Sequence, residues 1–160
     1  MQAITNWGNY PRIEAEEFFF ESTVELKQKI SSHETLIARG LGRCYGDSSL
    51  GTAVASSLHF NKITSLDLED GIITCQAGVT LEEILNLIIP KGWFIPVSPG
   101  TKFITVGGAV AADVHGKNHH CEGTFSDYLL WFDIMLQDGA IMRCSVTENA
   151  ELFHLTCGGM

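Results

Sequence analysis

Positive charge is scarce in this sequence: 10 Lys and Arg stand against 19 Asp and Glu, giving a net charge of -9 and a pI near 5.0. That balance argues against nucleic acid or an anionic membrane surface as the main partner. Long apolar runs are missing too. Even YLLWFDIML (Tyr128 to Leu136) is cut by Asp133, so nothing approaches the roughly 18 residues of a membrane span. The first residues, MQAITNWGNYPR, lack a charged start followed by an apolar core and are not a signal peptide. C-x-x-C is absent, and the 5 cysteines (Cys44, Cys75, Cys121, Cys144, Cys157) are odd in number and scattered. They read as reduced thiols in a reducing, cytoplasmic setting, used as small buried hydrophobes. What remains, 45% hydrophobic and 18% charged over 160 residues, suits one globular domain with a core.

Four of the 10 cations fall in two glycine-rich stretches. Arg39 and Arg43 fall in RGLGRCYGDSSLG (39–51), and Lys102 and Lys117 in SPGTKFITVGGAVAADVHGKNHH (98–120). An acidic chain that gathers its cations there is expected to hold an anion there. In the first stretch Gly40, Gly42 and Gly46 form G-x-G-x-x-x-G, one residue longer than the Rossmann fingerprint. The Asp-Ser-Ser-Leu-Gly that follows cannot open a long apolar helix, so the Rossmann reading fails. Successive amides of such a loop can still cradle a pyrophosphate; the bland alternative is a surface loop with turn glycines. In the second stretch Pro99, Gly100 and Thr101 make a turn, and Thr105 is placed to cap a helix from Val106 through Ala112. Gly107 and Gly108 at its start cost about 1 kcal/mol each against Ala, which implies a close approach to the backbone there. The helix N-terminus is expected to be a phosphate site. His115 to His120 are too polar for core and are expected to wall a cleft.

In chain order, residues 1–15 show no periodicity and read as an irregular arm of no legible role. Glu16–Glu21 reads as a strand. Ser22 to Glu25 is a capping box opening a helix to about Ser31, with Val24, Leu26 and Ile30 roughly on one side, and Thr35–Ala38 reads as a buried strand, completing an α/β unit. Ala53–Phe60 reads as a strand, and Ile63–Leu68 pairs with Ile72–Ala77 across Glu69-Asp70-Gly71. Thr80 to Glu83 is a second capping box, before a helix that buries Leu81, Ile84, Leu85 and Ile88 and ends at Pro90 and Gly92. Trp93–Val97 is expected to be extended, near an edge because of Pro96. Leu129–Leu136 and Ala140–Val146 form a hairpin across Gln137-Asp138-Gly139, and an amphipathic helix after Thr147 packs through Leu152, Phe153 and Leu155. The chain stops in the glycine turn Cys157-Gly158-Gly159-Met160, which reads as a fragment of a longer protein.

Together, ARGLGRCYGD (38–47), QAGVTLEEIL (76–85), PGT (99–101), TVGGAVAADVHGKNHH (105–120) and the closing DGAIMRC and NAELFHLTCGG segments resemble the flavoprotein oxidases and dehydrogenases of the vanillyl-alcohol-oxidase superfamily, with the FAD-binding domain also seen in p-cresol methylhydroxylase. HGKNHH and RGLGRCYGD are most similar to the decaprenylphosphoryl-β-D-ribose 2-oxidase-like branch. The resemblance implies an α+β fold of two small sheets with flanking helices, residues 1–160 forming an N-terminal FAD-binding domain whose substrate domain lies elsewhere. It implies FAD lying extended between the 40–46 loop and the 105–115 segment, and oxidation of an alcohol carbon of a sugar or sugar-lipid by hydride transfer to flavin, the isolated fragment being inactive. The cofactor-binding residues implied are Arg39, Gly40, Leu41, Gly42, Arg43, Cys44, Tyr45, Gly46, Asp47, Gly100, Thr105, Val106, Gly107, Gly108, Asp113, Val114 and His115. His115 and Lys117 stand on the flavin and substrate side as the catalytic candidates, with no metal. Several family members bond FAD covalently through a His of the first glycine loop; Arg43 occupies the matching position here, so the resemblance implies non-covalent FAD. The partners implied are a small-molecule sugar or sugar-lipid substrate, no nucleic acid, and a reductase or a second copy of the chain, with a cytoplasmic location or one at the membrane periphery.

Rival readings share these residues. His115 and His119 stand at i, i+4 with His120, Cys121 and Glu122 alongside, which raises zinc; that needs a helix through Gly116 and a second ligand cluster, and the usual spacings are not met. Each histidine alone reads first as a hydrogen-bonded polar residue, although for His115 the place beside the flavin weighs equally. Cys44 as a nucleophile finds no His or Asp partner in the sequence. A non-catalytic nucleotide-binding or interaction module is the alternative to an enzyme, since a resemblance of fold does not by itself carry an activity.

Overall fold

The computed structural model describes residues 1–160. Its first finding concerns the stretch read as an irregular arm, part of which is sheet. β1 (Gln2–Ile4) runs antiparallel to β2 (Ile13–Phe19), with Ile4 opposite Ile13. After α1 (Thr23–Ser32), β3 (Ile37–Arg39) and β4 (Ala53–Ser56) complete a four-stranded sheet in the order β1-β2-β4-β3. Both β2 and β3 lie parallel to β4, so the expected strand-helix-strand unit exists with β4 inserted between its strands. Every residue of β4 is buried. Small side chains there let both faces of the strand be covered, as a central parallel strand requires. Because neighbouring residues point to opposite faces, Val54 packs with Ile4, Ala15 and Leu50, whereas Ala55 packs with Phe18 and Phe20.

α1 begins at the expected cap, with the Ser22 hydroxyl accepting from the Glu25 amide, but the second half of the box is missing because the Glu25 carboxylate accepts from the Glu21 amide. Its apolar side is less used than the spacing predicts: no residue is buried, only Leu26 reaches the Phe18 cluster, and Val24 faces solvent. The expected strand at Ala53–Phe60 ends early, turning into a 3-10 segment at Ser57–His59.

A second core forms between the hairpin β5 (Ile63–Asp67) and β6 (Ile72–Cys75) and the helix α2 (Leu81–Ile88). Gly71 turns the hairpin at φ +68°. Thr80 and Glu83 make both halves of the capping box, and Leu81, Ile84 and Ile88 bury against Val79, with Ile104, Val106 and Phe125 closing the cluster. Trp93–Val97 forms no strand. Beyond it come two short helices, α3 (Val106–Ala111) and α4 (His119–Glu122), and the hairpin β7 (Phe132–Met135) with β8 (Ile141–Cys144), turned by Gly139 at φ +77°. α5 (Ala150–Thr156) packs through Phe153, stacked on Phe132 at 5.4 Å, while Leu155 is exposed against expectation. The chain is thus α+β, with three separate ladders where two sheets were expected. No helix is long and apolar enough to cross a membrane.

Candidate functional site

β3 delivers the chain into the first glycine loop. From Gly40 through Asp47 no amide donates to a backbone carbonyl of the chain. Gly42 and Gly46 adopt φ +62° and +61°, the left-handed region that side chains disfavour. A Cβ on Gly42 would run into the Arg39 guanidinium, whereas around Gly46 the space is open. Gly40 lies against Thr105 so closely that a Cβ would overlap Oγ1 and stand 3.1 Å from Cγ2. Arg43 Nε also donates to Phe103 O at 3.4 Å. The two glycine stretches therefore share one surface.

At α3 the outcome differs from the phosphate site expected of a helix N-terminus. Thr105 caps as predicted, accepting from the Gly108 amide at 3.2 Å. The donors of the first turn are already engaged, however: Val106 N–H to Val79 O at 2.7 Å and Gly107 N–H to Ala77 O at 2.8 Å. The close approach that Gly107 permits is made by the chain itself, since a Cβ there would stand 3.0 Å from Ala77 Cβ. Free amides belong to the 40–47 loop, not to the helix.

The four cations separate into two pairs. Arg39 is a brace: it donates to Asn6 Oδ1 at 2.6 Å, to Ser49 Oγ at 3.0 Å, to Ser49 O and to Thr5 O. Lys102 pairs with Glu82 at 2.8 Å. Arg43, lying 5.2 Å over the Trp7 ring, and Lys117 meet no carboxylate within ion-pair distance. These two leave an uncompensated positive charge for an anion.

Gly100 joins Ser98, Pro99 and His115 to His119 around an open cleft of about 730 Å³, as the polarity of the run predicts. Gly116 is buried, a Cβ there falling 2.8 Å from Ser98 O, which brings the two walls together. No helix runs through Gly116, because α4 starts at His119. The His115 and His119 rings lie edge to face at 5.0 Å, His119 Nδ1 sits 3.1 Å from Gly116 O, and nowhere do three His, Cys, Asp or Glu side chains converge as a metal would require. Asp113, expected beside a ligand, is a turn residue at φ +40° whose carboxylate accepts from Thr124 Oγ1, Ser126 N–H and Ser126 Oγ at 2.9 to 3.1 Å. Val114 is tied at both backbone groups, to Ala109 and Phe125. Cys44 is half-buried with its Sγ 3.2 Å from Ser49 Oγ, Leu41 is half-buried, and Tyr45 and Asp47 are exposed. Of the cysteines only Cys144 is fully buried, and Cys121 is exposed.

Sequence reasoning missed Asn6, Trp7 and Ser49. Asn6, 2% exposed, accepts from Arg39 and from Ser49 Oγ, and its Nδ2 donates to Gly46 O at 3.0 Å; the Trp7 amide donates to Cys44 O at 3.2 Å. Their partners lie far along the chain, so no local pattern marks them.

The sequence profile described as FAD binding domain matches residues 26–145. Decaprenylphosphoryl-beta-D-ribose oxidase of Mycolicibacterium smegmatis is 37% identical over 127 residues, 78% of this chain and 28% of that protein. Delta(24)-sterol reductase of Homo sapiens is 29% identical over 60% of this chain and 19% of its own length. D-lactate dehydrogenase of Anaerostipes hadrus is 34% identical over 65% of this chain and 22% of its own length. The chain thus spans less than a third of the length of these relatives.

Proposed function

The chain belongs to the FAD binding domain family, and from that premise we propose that residues 1–160 are the N-terminal, p-cresol-methylhydroxylase-type FAD-holding portion of a flavin-dependent oxidoreductase that oxidises an alcohol carbon of a sugar or sugar-lipid. The observation that carries the reading is the run of amides from Gly40 to Asp47 without a backbone acceptor, beside an Arg43 that meets no carboxylate. Those residues fit a dinucleotide: left-handed Gly46, exposed and with open space around it, leaves room for a diphosphate against the backbone. Bound there, FAD supplies hydride acceptance, and the protein supplies orientation and electrostatics.

In this reading the loop amides and the Arg43 guanidinium hold the diphosphate without a covalent bond. A guanidinium stays protonated and is no nucleophile, while each charge-assisted hydrogen bond contributes on the order of 1.5–3 kcal/mol before desolvation. Thr105, buried against Gly40, and Gly100, on the cleft wall, belong to the same second glycine stretch. At the cleft Lys117 and His115 present hydrogen-bonding side chains to substrate oxygens. The engaged amides of Val106 and Gly107, the braced Arg39 and the bonded carboxylate of Asp113 shape the site and donate nothing to the ligand. Substrate closure falls to a part of the protein outside these residues, so water enters the cleft and the isolated 160 residues hold FAD without turning over substrate. The name of the relative from M. smegmatis favours a sugar-lipid.

The test starts with FAD added to the chain, its fluorescence quenched to a one-to-one endpoint. Arg43→Gln is expected to weaken that binding about tenfold. Acid denaturation followed by filtration should leave the polypeptide colourless; retained yellow colour and a mass raised by one FAD would overturn the non-covalent assignment. In the longest form of the protein, anaerobic addition of a sugar-lipid alcohol should bleach the flavin. Bleaching by D-lactate instead would overturn the substrate class and leave the flavin reading standing.

A further inference from the structure

Resting on the reading of the 40–47 loop as the FAD diphosphate cradle, we infer that the N-terminal arm is a clasp that aims the loop's amides, with Asn6 as its positioning residue. The loop cannot set its own shape. It has no ladder bonds and two left-handed glycines, and ordering such a segment costs about 1–2 kcal/mol per residue. Two bonds from the arm reach it, and both engage carbonyls: the Trp7 amide donates to Cys44 O at 3.2 Å and Asn6 Nδ2 to Gly46 O at 3.0 Å, while the Leu50 amide holds Asp47 O at the loop's end.

The peptide unit is planar and trans, so a carbonyl and the following N–H point in opposite directions. Pinning Cys44 O and Gly46 O on the arm's side therefore turns the N–H groups of Tyr45 and Asp47 to the other side. Neither amide donates to a backbone carbonyl in the chain. Asn6 is suited to this: it is 2% exposed, its Oδ1 is held by Arg39 at 2.6 Å and Ser49 Oγ at 2.8 Å, and only its Nδ2 is left for the loop. The arm lies outside the residues that match the family profile. Fixing the donors before the ligand arrives is preorganisation, which raises affinity by lowering the ordering cost.

The experiment compares the full chain with Asn6→Ala, Asn6→Asp and, as a remote destabilised control, Phe153→Leu. Three quantities are read: the FAD dissociation constant by fluorescence quenching, the rate of tryptic cleavage after Arg43 without FAD, and the melting temperature. Asn6→Ala should weaken FAD about tenfold and speed the cleavage severalfold. Asn6→Asp still accepts from Arg39 and Ser49 but sets an oxygen against Gly46 O. It should keep a near-native melting temperature yet lose FAD affinity, a split that a merely structural role does not give, and it carries the test if the Ala variant fails to fold. Phe153→Leu should lower the melting temperature and leave the other two readings alone. Native FAD affinity and native cleavage in Asn6→Asp, or an equal loss of affinity in Phe153→Leu, would overturn the clasp while the flavin reading stands. A native chain that fails to quench FAD overturns that reading, and the clasp falls with it.

Discussion

Gly40 and Thr105 are where the glycine stretches meet most closely, and their contact makes an expectation of non-additive effects. In Gly40→Ala the new methyl overlaps Thr105 Oγ1; in the double variant with Thr105→Ala the nearest remaining atom is Thr105 Cβ, 3.2 Å away. Gly40→Ala alone should cost about 1–3 kcal/mol as overpacking, and Thr105→Ala about 1 kcal/mol as a lost cap. The double variant should cost less than their sum, by on the order of 1 kcal/mol. Denaturant midpoints of the four proteins check this, and strict additivity would refute the contact. Cys75 gives a second expectation. Burial pushes its thiol up from 9.0 to about 11, with the Glu83 carboxylate adding to the effect. The folded chain thus holds this proton more tightly than the unfolded chain. The stabilisation is complete below pH 9 and is lost as pH rises from 9 to about 11, by on the order of 1–2 kcal/mol after screening. The drop in urea midpoint between pH 8 and 10.5 should be smaller in Cys75→Ala. At this scale the sequence marks which residues are cations but not what each cation does: Arg39 and Arg43 sit in the same motif, and only the fold reveals that Arg39 meets Asn6 and Arg43 does not.

Elements whose boundaries depend on neighbours in sequence were legible. The Ser22, Thr80 and Thr105 caps and the glycine turns at 71 and 139 all occur where local chemistry demands them. The capping box of α2 carries its own expectation: Thr80→Ala removes the acceptor of the Glu83 amide and the hydroxyl held at 2.7 Å by Glu83, costing about 1 kcal/mol. Urea unfolding measures it, and an unchanged midpoint would show that the box is replaced by water. Elements that depend on distant partners were not legible. β1 and the start of β2 lie among Trp7, Gly8 and Pro11, without alternation, because their pairing comes from each other and from β4. Free amides were expected both in the first glycine loop and at the start of α3; at α3 they are engaged by the Ala77–Val79 segment, which is nearby only in the fold. The cleft was legible because polarity survives folding, whereas its second wall at Ser98 to Gly100 is fixed by Gly116.

At the scale of the whole molecule, the sheet with its arm and the α2 core meet at the glycine surface, and the sheet has a consequence for how this protein is handled at the bench. Similarity to the family begins at residue 26, which invites an expression truncation there. Such a cut removes β1 and β2, two neighbours in the order β1-β2-β4-β3, and leaves β4 as a new sheet edge. Val54 and Ala55, 0% and 3% exposed, would lose Ala15 and Phe18 from their two faces, and an uncovered apolar edge strand is a template for aggregation. The shortened chain should enter inclusion bodies or elute in the void volume, whereas the chain from Met1 should elute as a discrete species. Soluble, FAD-binding protein starting at Leu26 would refute this. A removable tag at the amino end carries a milder form of the same hazard, because it hangs on β1, a few residues from the clasp at Asn6.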